Sequence, residues 1–216
     1  MRLILAIVLT ATQICPGPAR ADDALDTTAA ARPGAVALYI QAAELYALGQ
    51  TAKDPLTVLT AARLLRGLTL TDTARSPDPA PAATTPLTPL DPQTLLDTAR
   101  SLDAGQSYTD LIAQVTTEAQ VRPQALRGTV ARLAPGATQT WTLPFFGGTY
   151  AELAILGDGA GNLDLLVTAD NGSQICLDKG NADTAFCGFA LRDNGSVTVT
   201  VNNTGTTPDT YTLLTN

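Results

Sequence analysis

The sequence predicts an α+β chain in two parts, N-terminal α-helical hairpins followed by an antiparallel β-sandwich, and three observations predict it. Apolar residues recur at three- and four-residue steps through the first half and at alternate positions from Gly128 onward. The pattern D-P-x-T-x-L-x-x-A-R-x-L occurs twice before that change, at Asp54 to Leu65 and at Asp91 to Leu102. After it, strand-length apolar runs are separated by clusters of Gly, Asn, Asp and Pro.

Arg2 is followed by an apolar run from Leu3 to Leu9 and a polar tail that ends Ala19-Arg20-Ala21. That order reads as a cleavable secretory signal, residues 1–21. The run is too short to span a bilayer, which takes about 20 residues. Cys15 is removed with the leader, and the Thr12-Gln13-Ile14 before it does not suit lipid attachment. Loss of Arg2 and Arg20, with no acid in the leader, takes the formal charge from -7 to -9. So acidic a chain is not expected to bind nucleic acid or anionic lipid by bulk attraction. Cys176 and Cys187 then remain, and an even pair in an exported chain reads as a disulfide.

Residues 22–34 form a polar leader. In Ala35 to Gln50, Leu38, Ala42, Leu45 and Leu48 mark one helix face, and Gly49 is placed to end the helix. Asp54 then supplies an N-cap oxygen and Pro55 a preset dihedral for the next helix, so residues 35–70 read as a helical hairpin closed by four or five residues. Residues 71–90 are dense in proline and read as an extended linker. The helix start recurs at Asp91-Pro92, and SYTDLIAQVTTEAQV follows, so residues 91–122 read as a second helical pair. The doubled pattern is similar to helical-repeat hairpins of the tetratricopeptide type. It also fits two unrelated helices with the same cap, since solenoids take three or more copies.

In residues 128–216, GTVARLA, TQTWTL, YAELAIL, NLDLLVT, the two cysteine segments, SVTVTVN and DTYTLLT make about eight strands. Val197, Val199 and Val201 share one face, as do Leu163, Leu165 and Val167.

Gly128, Leu133, Gly136 and Trp141, then YAELAILGDGAGNLDLLVTADNG, then SVTVTVNNTG and DTYTLLTN, resemble the bacterial pre-peptidase C-terminal (PPC) domain. Asn162 to Val167 stand in that family's D-L-D-L-Y-V strand, with Asn162 and Leu166 departing from it, and Tyr211, Thr212 and Leu213 in its last strand. The resemblance implies a jelly-roll-like sandwich, an accessory module of secreted proteins that is not itself catalytic.

The chain contains no histidine, which removes Ser-His-Asp and Cys-His catalysis and the His-x-x-x-His zinc helix. No G-x-S-x-G, P-loop or G-x-G-x-x-G occurs. Paired carboxylates are left, since glycoside hydrolysis needs only two. Asp97, Asp103, Asp110 and Glu118 on the helices and Asp158, Asp164 and Asp170 on the sandwich are the candidates. No catalytic residue is assigned.

Asp158, Asn162 and Asp164 are also the candidates for calcium at one sandwich edge, but they lack EF-hand spacing and a distant glutamate. Asp170-Asn171-Gly172-Ser173 reads instead as a tight hairpin turn whose two central residues tolerate positive φ, and Asp193-Asn194-Gly195-Ser196 repeats it. No cofactor is expected. Cys176 and Cys187 enclose a polar loop and are expected to link neighbouring strands; a catalytic dithiol would want C-x-x-C. Phe145 and Phe146 read as packed by a bending loop, with an exposed contact site as the alternative.

The function expected is that of an exported, non-enzymatic accessory or binding protein of the periplasm or extracellular space, whose helices contact a protein partner in the cell envelope or outside. The alternatives are a carboxylate-based hydrolase in a groove between the halves, and a calcium-dependent envelope or carbohydrate-binding protein.

Overall fold

The computed structural model describes residues 24–26, 34–80, 88–118 and 123–216. The expected secretory signal, most of the polar leader and residues 81–87 of the expected linker lie outside the described residues. Among the described residues the chain forms three layers: four helices, a five-stranded sheet and a four-stranded sheet.

Helices α1 (Ala35–Ala52) and α2 (Pro55–Arg66) form the hairpin, and α3 (Pro92–Leu102) packs on α2 ahead of α4 (Thr109–Thr117). The doubled motif is a cap joined to a buried face. Asp54 accepts hydrogen bonds from the Leu56 N–H at 3.0 Å and from the Thr57 hydroxyl. Asp91 accepts from the N–H groups of Gln93 and Thr94 and from the Thr94 hydroxyl. Pro follows each Asp at N1, where its missing N–H costs nothing. Leu59, Ala62 and Leu65, like Leu96 and Ala99, then enter the core.

Gly49 does not end α1. The helix runs on to Ala52 and turns at Lys53, whose φ is 54°, so two residues connect the helices. Gly49 is buried at the crossing with α2, where an added Cβ would stand 2.7 Å from Val58 Cγ2. Its lack of a side chain serves close helix approach. The buried face of α1 is also rotated from the expected one. Val36, Tyr39, Ile40 and Ala42 are buried, whereas Leu48 is 59% exposed.

The segment after α2 differs most from the sequence reading. Leu68–Asp72 is a strand, β1, paired in parallel with β2 (Gln124–Leu133) from Leu68↔Gln124 to Asp72↔Gly128. Leu68 and Leu70 pack on the helical core while Thr69 and Thr71 are exposed. Five residues of alternation wedged between a helix and a proline-rich stretch are too short a signal to stand out. Further along, Asp78 exchanges two backbone hydrogen bonds with Thr140, of 2.7 and 2.9 Å. Part of the expected linker therefore covers a sheet edge.

The remaining strands are β3 (Thr138–Phe145), β4 (Tyr150–Leu156), β5 (Leu163–Ala169), β6 (Gln174–Asp178), β7 (Thr184–Ala190), β8 (Gly195–Asn203) and β9 (Asp209–Thr215). With β2 they make the eight expected from the alternating half. The sheets run β1-β2-β9-β4-β7 and β3-β8-β5-β6. Between them lies a core of Leu153, Ile155, Leu165, Val199 and their neighbours. Trp141 Nε1 donates to the Tyr211 hydroxyl at 2.9 Å, and that hydroxyl donates to Gln139 Oε1 at 2.9 Å. This buried relay joins the two sheets, and burial pushes the Tyr211 hydroxyl pKa well up.

A second core lies between the helices and the outer face of the five-stranded sheet, where Val36, Ile40, Leu59 and Leu96 meet Leu126, Ala154 and Leu214. Strand β4 is thus covered on both faces. That explains why YAELAIL is a continuous apolar run where a half-solvated strand would alternate.

Three local expectations change. Gly172 has φ 80° but Asn171 has no positive φ; the Gly172 N–H donates to Ala169 O at 2.9 Å, so the turn between β5 and β6 has one left-handed residue. The second D-N-G-S copy makes no hairpin, because it connects β7 to β8 in the other sheet, and Gly195 begins a strand. The Cys176–Cys187 disulfide joins β6 to β7, which are edge strands of different sheets. It clips the two sheets together and does not brace a hydrogen-bonded pair.

Candidate functional site

The site begins with an anchor. Glu152 on β4 is fully buried and aims its carboxylate at the start of α1, accepting from the N–H groups of Gly34 at 2.6 Å, Val36 at 3.0 Å and Ala37 at 3.3 Å. The helix has no side-chain cap of its own. Its unpaired N–H groups and positive dipole end are therefore satisfied by an anion carried on the sheet.

From that anchor α1 runs out over the end of β4, and a cleft of about 490 Å³ opens beneath its second half. Tyr39, Ala43, Glu44, Tyr46 and Ala47 form the helical wall. Leu156 at the end of β4, with Thr210 and Thr212 of β9, forms the sandwich wall. Thr88 and Leu90 close one side, and the Leu90 N–H donates to the Tyr39 hydroxyl at 3.1 Å. Asp158 and Asp183 stand at the rim on the loops after β4 and β6.

Three aspartates shape that rim. Asp158 accepts from the Ala160 N–H at 3.1 Å through Oδ1 and from the Thr210 N–H at 3.2 Å through Oδ2. Asp183 Oδ2 accepts from the Gly159 N–H. Asp209 Oδ1 accepts from the Asp158 N–H at 3.3 Å, while its Oδ2 is buried with no hydrogen-bond partner. Gly159 takes φ 86°, which lets the chain turn tightly between these carboxylates. Burial, together with the charges of Asp158 and Asp183, pushes the Asp209 pKa up to about 6.

A pH dependence follows from that shift. Asp209 has a higher pKa folded than its ordinary 3.8, so between about pH 4 and 6 the native state holds more protons than the unfolded state. Stability should fall as pH rises through that window. Two pKa units correspond to nearly 3 kcal/mol at full effect. Solvent screening beside an exposed loop reduces the expected span to about 1–2 kcal/mol. Asp209→Asn should flatten the dependence and be more stable than the parent at pH 7.5. Thermal melts from pH 4 to 8 check this, and parallel profiles for the two proteins would contradict it.

The calcium candidates do not assemble. Both Asp158 oxygens are engaged as above, Asn162 Nδ2 donates to Thr204 Oγ1 at 2.9 Å, and Asp164 lies in β5 opposite Asn202. No group of three or more His, Cys, Asp or Glu residues among the described residues could hold a metal ion.

The other carboxylates are dispersed. Asp97 pairs with Arg100 at 2.5 Å and Glu118 with Arg63 at 2.5 Å. Asp103 accepts from the N–H groups of Ser107 and Tyr108, and Asp170 from that of Ser196. Asp110 stands in the first turn of α4. Of the residues singled out from sequence as carboxylates or ligands, Asp158 alone lines the cleft. Phe145 packs on Phe189, ring centroids 5.1 Å apart, whereas Phe146 is 78% exposed. The two rings thus separate, and the loop does not pack both.

Glu44, Asp183 and the two tyrosines were not found by sequence reasoning. Tyr39, Ala43 and Tyr46 do share a helical face by spacing, which could have marked the helical wall. Asp183 carried no such signal inside the disulfide loop.

No protein-family model and no curated protein sequence matches the chain. Among solved structures, the C-terminal part is similar to the pre-peptidase C-terminal domain of a collagenase from Bacillus anthracis, at 13% identity and a TM-score of 0.34. That match covers 41% of this chain and 89% of that one. It is also similar to a periplasmic inhibitor of g-type lysozyme from Aeromonas hydrophila, at 15% identity and TM-score 0.33, over 42% of this chain and 84% of that one. A carbohydrate-binding module in complex with calcium and xylotriose matches at 14% identity and TM-score 0.23, over 39% of this chain and 76% of that one.

Proposed function

We propose that the protein is an exported, non-catalytic binding protein whose protein partner docks in the cleft between α1 and the sandwich. The observation that carries this reading is the construction of the cleft. Its two walls belong to different layers, and a buried carboxylate, Glu152, sets their spacing. Sites at such junctions are the usual location of ligand pockets.

The chemistry at the rim favours binding over turnover. A general acid must carry a raised pKa and reach its substrate. Among the described residues the carboxyl with a raised pKa is Asp209, which has no accessible surface and does not line the cleft. Asp158 and Asp183, which do line it, are already engaged by backbone N–H groups. Export rests on the leader sequence and agrees with the Cys176–Cys187 disulfide. Among the described residues no helix is long and apolar enough to cross a membrane.

A photoreactive amino acid placed at Ala47 or at Thr212, on opposite walls, tests the reading in the exported full chain. Both positions should crosslink to the same envelope protein, and one at Phe146 should not. Crosslinking from Phe146 with none from either wall would overturn it.

A further inference from the structure

Resting on the reading of this cleft as the docking site, we propose that it takes a guanidinium: an arginine side chain of the partner, held between Glu44 on α1 and Asp158 and Asp183 on the sandwich loops.

Charge is the first argument. Among the described residues, the charged ones that line the cleft are Glu44, Asp158 and Asp183, and no lysine or arginine lines it. No salt bridge among the described residues neutralises any of the three. Burial, and after it the Asp158 and Asp183 charges, raise the pKa of Asp209. Among the described residues the site is a concave anionic surface without its counter-charge, and such surfaces attract and orient cations.

Shape selects among cations. The volume of about 490 Å³ lies in the range of about 300–1,000 Å³ typical of ligand pockets, far more than a metal ion needs. Leu90, Leu156 and Ala43 give the walls an apolar part suited to a methylene stem. Tyr46, half-buried on the helical wall with its hydroxyl 3.4 Å from Thr98 Oγ1, adds aromatic surface that a planar cation can use. The hydroxyls of Thr210 and Thr212 can accept further N–H groups. A planar fork with five donors uses several carboxylates and hydroxyls at once, where an ammonium is a point charge. The acceptors are also pre-organised: Asp158 is fixed by two backbone N–H groups and Asp183 by one, so little ordering remains to be done on binding.

Calorimetric titration of the full chain with the blocked tetrapeptide Gly-Arg-Arg-Gly tests the proposal, beside versions carrying lysine, citrulline or glutamate in place of arginine. The arginine peptide should bind, the lysine peptide should bind more weakly, and the neutral citrulline isostere and the glutamate peptide should not bind. Glu44→Gln and Ala47→Trp should each weaken the arginine peptide by about tenfold or more, equivalent to about 1.4 kcal/mol. At pH 6 binding should release protons, seen as a dependence of the heat on buffer, and Asp209→Asn should remove that release. Equal binding of arginine and citrulline peptides, or binding untouched by Ala47→Trp, would overturn the proposal. If no peptide binds while crosslinks from Ala47 and Thr212 still capture a partner, the cation assignment fails and the docking site stands. If those crosslinks fail as well, both fail.

Discussion

Glu152→Ala is expected to lower stability by about 3 kcal/mol and to release the helices before the sandwich melts. The carboxylate accepts three N–H groups at the start of α1, a helix whose N-cap residue supplies no side-chain hydrogen bond. Hydrogen bonds to a charged acceptor contribute about 1.5–3 kcal/mol each, and removal of a buried charge returns part of that by ending its own desolvation. The fit is close on the other side too, because a Cβ on Gly34 would stand 2.5 Å from Glu152 Oε2. Glu152→Gln should lose most of the same stability, since its amide nitrogen would face N–H donors. The two cores separate the readouts. Trp141 is the single tryptophan and lies in the core between the sheets, whereas the ellipticity at 222 nm reports the helices. In the parent the two melting curves should coincide; in Glu152→Ala the helical signal should be lost first. Coincident curves in the variant would show that the anchor does not hold the layers together.

Replacing both cysteines should cost a comparable amount but in a different manner. A bridge closing 11 residues of sequence separation contributes about 3 kcal/mol on the chain-entropy model. For a chain of this size that is a fall in Tm of about 10 °C. Cys187 is buried in the core between the sheets, and β6 and β7 are edge strands of different sheets. The loss therefore falls on the core that also supports the helical layer, and both melting curves should move down together in the Cys176→Ala/Cys187→Ala variant. Thiol labelling of the parent should require reduction. A variant with an unchanged Tm would mean that inter-sheet packing alone sets stability at that edge.

The parts legible in the sequence are those with a local cause. A side-chain oxygen beside a proline marks both Asp54 and Asp91 as helix starts because capping involves neighbours only. Alternation places Val197, Val199 and Val201 on one face because the strand period is fixed by the backbone. What the sequence hides is long-range. Glu152 sits in an apolar run and reads as an interruption; its role appears only when a helix start 116 residues away in sequence is brought over it. Strand β1 lies beyond a helix and ahead of a proline-rich stretch, and its pairing with β2 is parallel and distant. Gly49 has the look of a helix end, and close approach by Val58 explains it instead. The cleft is hidden for the same reason: Glu44, Asp158 and Asp183 come from three elements, and neither charge runs nor spacing ties them.

The cleft is built jointly by α1 and the sandwich, and the affinity of the captured partner for defined variants tests that construction. Once crosslinking has identified the partner, its Kd should be measured for the parent, for Ala47→Trp, which fills the cleft from the helical wall, and for Phe146→Ser, which removes the most exposed ring on the sandwich. Ala47→Trp should weaken binding by about tenfold or more, about 1.4 kcal/mol, while Phe146→Ser stays within about twofold. Loss of binding in Phe146→Ser with Ala47→Trp unchanged would place the contact on the sandwich loops and contradict the account.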